Sequence, residues 1–527
     1  MNAQVYLKEN VQIEPLYNQW YAWSYLISPA TAPLYVANSH LKIMESFLTA
    51  PQAHLSALKN PAMMGGPFIN YSPSRTGEIK ELMERTMKEQ SHMLEFAEAV
   101  RTLNKMLLAE AQGFSLEPLY SKVPEVLRGY VELVYDLNNQ VSVRMIEGLL
   151  YKSRYYNPGL QSVNLSTVEK DGRPFVFSTP SLKEKDRLNF KLPFNDERLA
   201  ALCKMKESPG PYEQIRELLE VPPEDEPLFA SFFTETPVTT APRYEGTKTR
   251  IRYFGHACLL IETANVSILC DPVISYKYAG YNDRYTFADL PETIDYAMIT
   301  HGHQDHCMFE TLLQLKHKIK TMVVPRCNNS AHADPSLKMV LQHLGFKNVV
   351  EIDEMEEIEF EGGSIVGLPF LGEHGDLNIT TKIAYLIRTE DKSILCAADS
   401  NNIETKLYDR LHEAIGTVDV LFIGMECDGG PLTWLYGSLL NSPISRKMDQ
   451  SRRFDGSDFA KAVDIIERLN PTQVYVYAMG QEPWLTYLTS IVYTDTSRPI
   501  VESNKLVEEC RSRGITAERL FGYKEIF

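Results

Sequence analysis

The sequence predicts a mixed, largely helical N-terminal domain followed by an α/β sandwich. Three observations support this division. The first half carries long amphipathic helical patterns, whereas the second half carries short apolar runs that alternate with turns. Between them, an acidic, proline-containing stretch (221–227) and an irregular one (234–249) interrupt the periodicity. We therefore expect one domain over residues 1–245 and a second over residues 246–527.

Two helical patterns and one hairpin pattern stand out in the N-terminal domain. An amphipathic helix is predicted from about Glu78 to Gln112, and a second near Pro118 to Tyr151. The stretch TVEKDGRPFVFSTP (167–180) predicts a β-hairpin with Asp-Gly as its turn.

Short apolar runs predict the strands of the second half. Helical patterns lie between some of them, as in FETLLQLKHKI and GSDFAKAVDIIERL. Many strands interspersed with helices are typical of an α/β sandwich. The predicted strands lie in RIRYFGHACLLIET, VSILCDP, DYAMIT, KTMVVP, KNVVEI, IAYLIRT, KSILCAAD, VDVLFIG and TQVYVYAMG.

Charge and hydropathy argue against two classes of partner. The chain has 69 acidic and 53 basic residues, a formal net charge of -16. Such a surface repels phosphate backbones and anionic membranes, so we expect no nucleic-acid and no membrane partner. The first twenty residues contain charges and a proline, and no stretch approaches the ~18 apolar residues of a membrane span. We expect a cytoplasmic protein.

Residues 298–307, MITHGHQDHC, hold the densest group of metal-capable side chains. His301, His303, Asp305 and His306 lie within six positions, after a predicted strand and before a predicted helix. A histidine-rich turn without function is the alternative interpretation. The HxHxDH spacing favours two sub-sites: His301 and His303 grip one metal ion, while Asp305 and His306 turn toward a second.

The eight cysteines are sparse, and none belongs to a CxxC pair. Several lie inside apolar runs, which indicates buried free thiols in a reducing compartment. Cys307 adjoins the histidine motif. We do not expect it to be a ligand, because the motif already supplies enough histidines.

The motif after a strand resembles that of the metallo-β-lactamase superfamily, whose fold is an αββα sandwich. The upstream run YFGHACLLIETANVSILCDP (253–272) is similar to the superfamily's opening hairpin and to the aspartate before its site. The resemblance covers about residues 250–480. It implies that Asp271 orients metal ligands from behind. We interpret His256, inside the hairpin, as structural.

Superfamily hydrolases usually continue with a histidine, a bridging aspartate and a final histidine, and this chain departs from that pattern. Asp399, at the end of KSILCAAD, matches the aspartate. Where the middle histidine is expected, FLGEHGD offers Glu373 or His374. The final histidine is missing, because TQVYVYAMG ends without one and only His412 remains, inside a predicted helix. Mixed imidazole and carboxylate ligation favours iron or manganese over zinc.

A narrower resemblance is to the metallo-β-lactamase-fold diiron β-hydroxylases of nonribosomal peptide biosynthesis, the family of the chloramphenicol-pathway aminoacyl hydroxylase. HGHQDH, GEHGD and CAADS stand in the family's order in a chain of similar length. The resemblance implies that one iron is held by His301, His303 and Glu373. It implies that Asp305 and His306 hold the other and that Asp399 bridges the two, with Glu373 and Asp399 as catalytic residues. Glu373 is preferred over His374 on the family pattern alone.

The resemblance also implies an activity. Two iron ions, O2 and an external electron donor would hydroxylate the β-carbon of an amino acid tethered to the carrier domain of a nonribosomal peptide synthetase. Partners would be that aminoacyl carrier and an electron-transfer protein. The N-terminal domain would serve carrier docking, a substrate tunnel or a homodimer interface. The loop 426–434 would cover the site, with Glu426 or Asp428 touching substrate.

Three rival interpretations stay open at this point. A hydrolase of lactones, phosphodiesters or thioesters would use two zinc or manganese ions, as most of the superfamily does. The second alternative is a degenerate metal domain that is retained only for docking. Such a domain would not need the intact HxHxDH motif and Asp399 that this chain has. A flavodiiron-type reductase would carry its glutamate inside the first motif, where this chain has His303. The identity of the hydroxylated amino acid, aromatic or aliphatic, is not determined by the sequence.

Overall fold

The computed structural model describes residues 3–238, 240–278, 284–328 and 331–527. The N-terminal region is mixed, as predicted, with a four-stranded sheet β3-β2-β6-β7, a three-stranded sheet β8-β1-β9 and a hairpin β4-β5. Its strands are β1 (Gln4–Leu7), β2 (Val11–Tyr17), β3 (Trp20–Tyr21), β4 (Val131–Tyr135), β5 (Val141–Met145), β6 (Gln161–Thr167), β7 (Arg187–Phe190), β8 (Gly210–Pro211) and β9 (Phe233–Thr234).

Helices and short helical turns surround these sheets. A π-helical turn (Val36–His40) joins the second and third helices into one continuous rod. The helices are α1 (Ser24–Ile27), α2 (Ala32–Tyr35), α3 (Leu41–Thr49), α4 (Pro51–Leu58), α5 (Thr76–Glu89), α6 (Ser91–Glu110), α7 (Glu147–Leu150), α8 (Glu197–Lys204), α9 (Tyr212–Leu218) and α10 (Glu226–Ser231).

The predicted helix over 78–112 is two helices, α5 and α6, which meet at Gln90. Gln90 leaves helical geometry, with φ -114° and ψ 26°. The two helices pack into different apolar clusters: Ile79 of α5 joins the cluster of Phe47, whereas Phe96 of α6 joins that of Leu127. One straight helix could not face both clusters, so the chain changes direction.

The second predicted helix, near 118–151, is wrong. Two 3-10 turns (Glu117–Lys122 and Glu125–Leu127) precede the β4-β5 hairpin, and only the short α7 follows. In the sequence VELVYDLNNQVSVRM, apolar and polar residues alternate on both sides of a polar turn, in VEL and in VSVRM. This pattern has the period of two residues that is typical of a strand, not the 3.6 of a helix. The strand signal outweighed the helical one.

The predicted hairpin over 167–180 is also wrong. Strand β6 ends at Thr167 and pairs with the distant β7 instead. The intervening segment reaches the second half of the chain: Asp171 forms an ion pair with Arg284, at 2.8 Å, and the Val176 N–H donates to the Tyr487 carbonyl. These long-range contacts decide the path of this segment, although its local sequence favours a hairpin turn.

The second half forms two seven-stranded sheets, in the orders β15-β14-β13-β12-β11-β10-β23 and β16-β17-β18-β19-β20-β21-β22. All nine strand-bearing runs predicted from the sequence contain strands. The strands are β10 (Arg250–Tyr253), β11 (Leu259–Glu262), β12 (Ser267–Cys270), β13 (Ile294–Met298), β14 (Ile319–Pro325), β15 (Val349–Ile352), β16 (Glu357–Phe360), β17 (Gly363–Leu368), β18 (Ala384–Arg388), β19 (Ser393–Cys396), β20 (Val420–Gly424), β21 (Gln473–Tyr477), β22 (Thr516–Arg519) and β23 (Lys524–Ile526).

Five helices of this half pack on the outer faces of the sheets, α11 and α12 on the first and α13, α16 and α18 on the second. Both predicted helical patterns are present, in α11 and α16. The helices are α11 (Phe309–Leu315), α12 (Leu337–His343), α13 (Thr405–Ile415), α14 (Leu432–Tyr436), α15 (Arg446–Ser451), α16 (Phe459–Leu469), α17 (Thr486–Thr489) and α18 (Arg498–Ser512).

Three apolar layers account for the sandwich. Between the sheets, residues such as Met298 of the first meet residues such as Phe422 of the second. The outer face of the second sheet packs on α13, α16 and α18. The outer face of the first sheet packs on α11 and α12 and on N-terminal elements, including β2 and α8. The αββα sandwich is therefore confirmed, and the N-terminal region buries one of its faces.

Two predictions about composition can be compared with the structure. All eight cysteines lie in the described part of the chain and none forms a disulfide; seven of them are buried, as expected. The exception is the half-buried Cys327. In the described part of the chain, no helix combines the length and apolarity needed to cross a bilayer.

Candidate metal centre

The predicted site residues follow strand ends at one edge of the sandwich. Asp271 comes directly after β12, and the HxHxDH motif follows β13. In the opposite sheet, Asp399 follows β19 and Glu426 follows β20. β12 and β13 are parallel, as are β19 and β20, so the carboxyl ends of these strands meet at a common edge. Side chains far apart in sequence thereby face one cavity.

The backbone around this edge adopts an uncommon conformation. Five non-glycine residues have positive φ: His256 (49°), Asp271 (39°), Glu373 (65°), Ala398 (47°) and Ala478 (54°). Each such residue costs about 1–3 kcal/mol and persists only where the surroundings hold it. Concentration of this strain around one cavity is typical of a functional site.

Glu373 joins the first two histidines of the motif. His303 Nδ1 lies 2.9 Å from Glu373 Oε1, and His301 Nε2 lies 3.7 Å from Glu373 Oε2. The carboxylate and the two imidazoles are buried. Ligand atoms that share a cation at about 2.0–2.2 Å lie about 3–4 Å apart, so this spacing suits a metal ion.

Asp399 joins the last histidine of the motif from the opposite sheet. His306 Nε2 lies 3.0 Å from Asp399 Oδ2, and His301 Nε2 lies 3.9 Å from the same oxygen. Asp399 is thus near histidines of both predicted sub-sites. Asp305 lies on the other side of His306, within a third metal-capable group that also includes His256.

Asp271 and Thr300 set the tautomers of two imidazoles. Asp271 accepts hydrogen bonds from the Thr300 N–H (2.8 Å) and hydroxyl (2.7 Å), and from His306 Nδ1 (2.8 Å). Since the Thr300 hydroxyl proton is committed to Asp271, its oxygen accepts from His301 Nδ1, at 3.0 Å. In the neutral form, each of these histidines therefore carries its proton on Nδ1, which leaves the Nε2 lone pair free for a metal ion.

Tyr436 sets the tautomer of the third imidazole in the opposite sense. His303 Nε2 lies 2.8 Å from the Tyr436 hydroxyl. The Tyr436 hydroxyl interacts in turn with Tyr25, whose O–H donates to the Ala333 carbonyl at 2.8 Å. The neutral His303 ring therefore carries its proton on Nε2 and donates it to Tyr436. This leaves Nδ1 free, and Nδ1 is the atom that faces Glu373.

His256 differs from these three histidines. Its Nδ1 accepts the backbone N–H of Gly480 at 3.1 Å, so a neutral ring carries its proton on Nε2. That nitrogen points toward Asp305 Oδ2, at 3.5 Å. Although His256 lies close enough to Asp305 and His306 to belong to a metal-capable group, its tautomer favours a hydrogen-bond donor to Asp305 rather than a metal ligand.

The donor set fits a pair of cations. Four buried atoms at the centre have no hydrogen-bond partner among the described residues: His301 Nε2, His306 Nε2, Glu373 Oε2 and Asp399 Oδ1. Buried polar atoms are normally satisfied, so these atoms call for ligands. Three imidazoles with three carboxylates suit iron better than the nitrogen- and sulfur-rich shells that zinc prefers.

The pKa shifts at the centre also indicate that these side chains favour a bound cation. Burial lowers the pKa of His301, and the neighbouring imidazoles lower it further. Burial opposes protonation of His306, but Asp399 and Asp271 outweigh it and raise its pKa well above the usual range. Burial raises the pKa of Glu373 to about 7, with a further contribution from Asp399. A metal ion would relieve each of these conflicts.

Three other sequence candidates lie differently. His374 is buried and stacks on the His303 ring, with its Nδ1 3.1 Å from Glu373 Oε2, but it joins none of the metal-capable groups in the described ranges. Cys307 is buried and likewise absent from those groups. His412 lies on the exposed side of α13.

A cavity of about 260 Å³ opens beside the centre. Its walls include Asp399, Glu373, His256 and Glu426, together with the apolar Trp434. A neighbouring cavity of about 580 Å³ shares Trp434 and Leu435 with it and is lined by N-terminal aromatics such as Trp23 and Phe177. Loop 426–434 thus lies at the cavity, as expected for a loop that covers the site.

Fold and site define the class: a metallo-β-lactamase-fold protein with a candidate dinuclear centre of mixed imidazole and carboxylate donors. A family model described as the diiron non-heme beta-hydroxylase N-terminal domain matches residues 6–237, and a beta-lactamase superfamily domain model matches residues 250–440. The 4-amino-L-phenylalanyl-[CmlP-peptidyl-carrier-protein] 3-hydroxylase of Streptomyces venezuelae is 39% identical over 521 residues, which cover 98% of this chain and 98% of that protein.

Solved structures agree with this assignment. The crystal structure of CmlA, a diiron beta-hydroxylase from Streptomyces venezuelae, matches with a TM-score of 0.94 and 38% identity over 100% of both chains. A glutamate-to-aspartate variant of CmlA matches with a TM-score of 0.91 and 38% identity over 99% of both chains. The chain belongs to the family of diiron non-heme β-hydroxylases. The resemblance predicted from the sequence is confirmed, and so is the enzyme class it implied.

Sequence reasoning identified Asp271 but missed two other residues that support the histidines, Thr300 and Tyr436. Thr300 was visible only as the end of a strand, and Tyr436 lies 133 positions from its partner His303. Thr300 could have been suspected from its position between Asp271 and the motif. No sequence signal connects Tyr436 to the motif.

Proposed function

We propose that this chain hydroxylates the β-carbon of an amino acid held as a thioester on a carrier domain of a nonribosomal peptide synthetase. The observation that carries the proposal is the set of three buried imidazoles, each held in the neutral tautomer that frees one nitrogen toward the carboxylates of Glu373 and Asp399. The relative from Streptomyces venezuelae, whose name specifies an aminoacyl group on a peptidyl carrier protein, supports the substrate class.

The distances within the centre support a particular division of the ligands. In this proposal Asp399 bridges the ions, and Asp271 orients His306 without touching metal. The proposed ligands are His301, His303 and Glu373 for one iron and Asp305 and His306 for the other.

The overall reaction balances as substrate C–H plus O2, two electrons and two protons, giving C–OH and water. Iron, when bound, supplies the chemistry that activates O2. The protein's own tasks are to hold the ligands, to exclude water and to aim the β-carbon at the centre. The chain carries no flavin or nicotinamide fingerprint, so we propose that an electron-transfer protein supplies the electrons.

The N-terminal region has a proposed role in substrate access. Its aromatic residues line the larger cavity, which adjoins the one beside the centre, and this supports a substrate tunnel between residues 1–245 and 246–527. We propose that carrier docking occurs at the mouth of this tunnel and that the chain forms a homodimer. The absence of disulfides among the eight cysteines, all of them described, supports a cytoplasmic location, where thiols stay reduced.

The test begins with metal analysis of protein purified without added metal. We expect about two irons per chain, followed by gain of one oxygen atom at the β-carbon when the chemically reduced protein meets aminoacyl-carrier substrates and O2. A panel of aromatic and aliphatic aminoacyl groups identifies the substrate. Two zinc ions, no iron uptake under anaerobic loading, and hydrolysis of the thioester instead of hydroxylation would establish the hydrolase alternative.

A further inference from the structure

The cavity beside the centre contains a carboxyl group that the proposed metal ligation does not use. Glu426 lies two residues after β20 and lines the cavity with Asp399 and Glu373. Within the described ranges, it belongs to none of the three metal-capable groups. Its task therefore differs from that of the proposed ligands.

Glu426 is oriented but only partly satisfied. The Asp428 N–H donates to Glu426 Oε1 at 3.3 Å, and the Gly456 N–H donates to the Glu426 backbone carbonyl at 2.7 Å. Its second oxygen, Oε2, is buried and has no hydrogen-bond partner in the part of the chain that is described. An unsatisfied buried polar atom costs about 1–3 kcal/mol, so a ligand that fills this position would be bound favourably.

In the described part of the chain, this carboxyl has no basic partner. Arg453, on the same cavity wall, forms an ion pair with Asp428 at 3.2 Å and donates to Gln450 at 2.7 Å. Glu426 forms no ion pair with any described basic side chain. Burial, together with the smaller effects of the nearby carboxylates of Asp428, Asp399 and Asp455, raises the pKa of Glu426 to about 8. An added positive charge would favour the ionised form.

We propose that Glu426 Oε2 binds the α-ammonium group of the aminoacyl substrate. This inference rests on the proposed function and specifies how the site recognises its substrate. An amino acid tethered through its carboxyl as a thioester keeps a free α-ammonium, whatever its side chain. The β-carbon is two bonds from that nitrogen, so an anchor at Glu426 restricts where the β-carbon lies beside the centre.

This arrangement divides recognition between two kinds of contact. The ammonium group meets Glu426, while the apolar surface of Trp434 and Leu435 and the adjoining aromatic cavity remain for the side chain and the thioester arm. A charge-assisted hydrogen bond of this kind contributes more than a neutral one, and it selects aminoacyl over simple acyl thioesters. Glu426 therefore acts in specificity for the α-amino group.

Equilibrium binding without O2 tests the proposal. The probes are L-phenylalanyl- and L-leucyl-pantetheine, each paired with the thioester that lacks the amino group, 3-phenylpropionyl- and 4-methylpentanoyl-pantetheine. Iron-loaded full-length protein is titrated anaerobically, and the Kd ratio within each pair is measured. We expect wild type to bind at least one aminoacyl thioester about 10-fold or more tightly than its partner.

Glu426→Gln is expected to bring the ratio close to one while iron content stays at the wild-type value. Glu426→Asp, whose carboxylate is shorter, is expected to retain a reduced preference and controls for misfolding of the amide variant. Asp428→Asn removes the same charge from the same cavity, but that carboxylate is exposed and paired with Arg453. It is expected to retain the preference, which separates direct contact from general electrostatics.

The proposal is overturned if wild type shows no preference or no binding, or if Glu426→Gln retains the wild-type ratio. The readout does not depend on hydroxylation. An intact preference in a protein that never hydroxylates its substrate would reject the proposed function alone. Hydroxylation with a ratio insensitive to Glu426 would reject only the role of Glu426.

Discussion

The phenolic oxygen of Tyr436 lies 2.8 Å from Nε2 of His303, although 133 positions separate the two residues. Through this contact an N-terminal tyrosine, Tyr25, is coupled to the candidate metal centre. The coupling makes the orientation of His303 a property of the whole fold rather than of the HxHxDH motif.

Tyr436→Phe should weaken iron binding without abolishing folding. Loss of the hydrogen bond frees the His303 ring to adopt the other tautomer, and changes behind metal-bound histidines typically cost 10–100-fold in affinity. Anaerobic titration with Fe²⁺ measures the effect. Tyr35→Phe is the matched control, because Tyr35 is also buried and donates to the Leu435 carbonyl but forms no hydrogen bond with His303. Equal affinities in the two variants would contradict the role of Tyr436.

His256 and His306 should differ in their effect on metal stoichiometry. His256→Gln is expected to retain about two irons per chain, because its free ring nitrogen carries a proton. His306→Gln is expected to lose one, because His306 Nε2 is free and faces Asp399. Metal analysis after gel filtration decides between them. Loss of one iron in both variants would make His256 a ligand and refute the tautomer argument.

Substitutions of Glu373 and His374 should have different effects on the iron content measured in the same assay. Glu373→Ala removes the carboxylate that faces His301 and His303, so the iron at that position should be lost. His374→Ala should keep both irons and lose only ring stacking on His303. The reverse pattern would show that the neighbouring imidazole is the ligand.

Arg173→Met should destabilise the protein by about 3–5 kcal/mol, because it leaves buried carboxylates without their partner. Arg173 pairs with Glu14 at 3.1 Å and with Glu310 of α11 at 2.9 Å. Chemical denaturation, followed by tryptophan fluorescence, measures the change. Arg154→Met removes an exposed pair with Glu95 and should leave the denaturation midpoint close to the wild-type value. Similar losses in both variants would remove the distinction between the pairs.

Glu147 should make stability pH-dependent. Burial raises its pKa from 4.5 to about 7, so the ionised form is unfavourable in the folded protein. Its contribution to stability is therefore highest below pH 4.5, falls as pH rises toward 7, and is constant above that value. Glu147→Gln removes this penalty, and the thermal midpoint of the variant relative to wild type should rise by about 2 °C or more between pH 5 and pH 8.

The comparison within each pH cancels the titration of all other groups. Glu95→Gln, an exposed substitution, should show no such trend. A constant difference between Glu147→Gln and wild type across pH 5–8 would mean that Glu147 titrates normally.

The sequence alone determined ten of the fourteen described strands of the sandwich and the candidates for the metal centre, whereas β16, β17, β22 and β23 were not predicted. Strands such as β12, β13 and β20 lie in short apolar runs bounded by turns, so the local sequence was enough to predict them. His301, His303, Asp305 and His306 are adjacent in sequence, and their spacing on a strand end already requires that they converge. Asp399 and Glu373 were identifiable because a family pattern supplied their order.

The tertiary structure decided which atoms of these side chains are free. Hydrogen bonds with Asp271, Tyr436 and Gly480 fix the tautomers of the histidines, and these partners lie in other segments of the chain. It also decided the path of residues 168–180 and the break at Gln90, where contacts with distant elements outweigh local propensity. The local sequence fixes the periodicity of apolar residues. It carries no information about which distant hydrogen-bond partner contacts a given ring nitrogen.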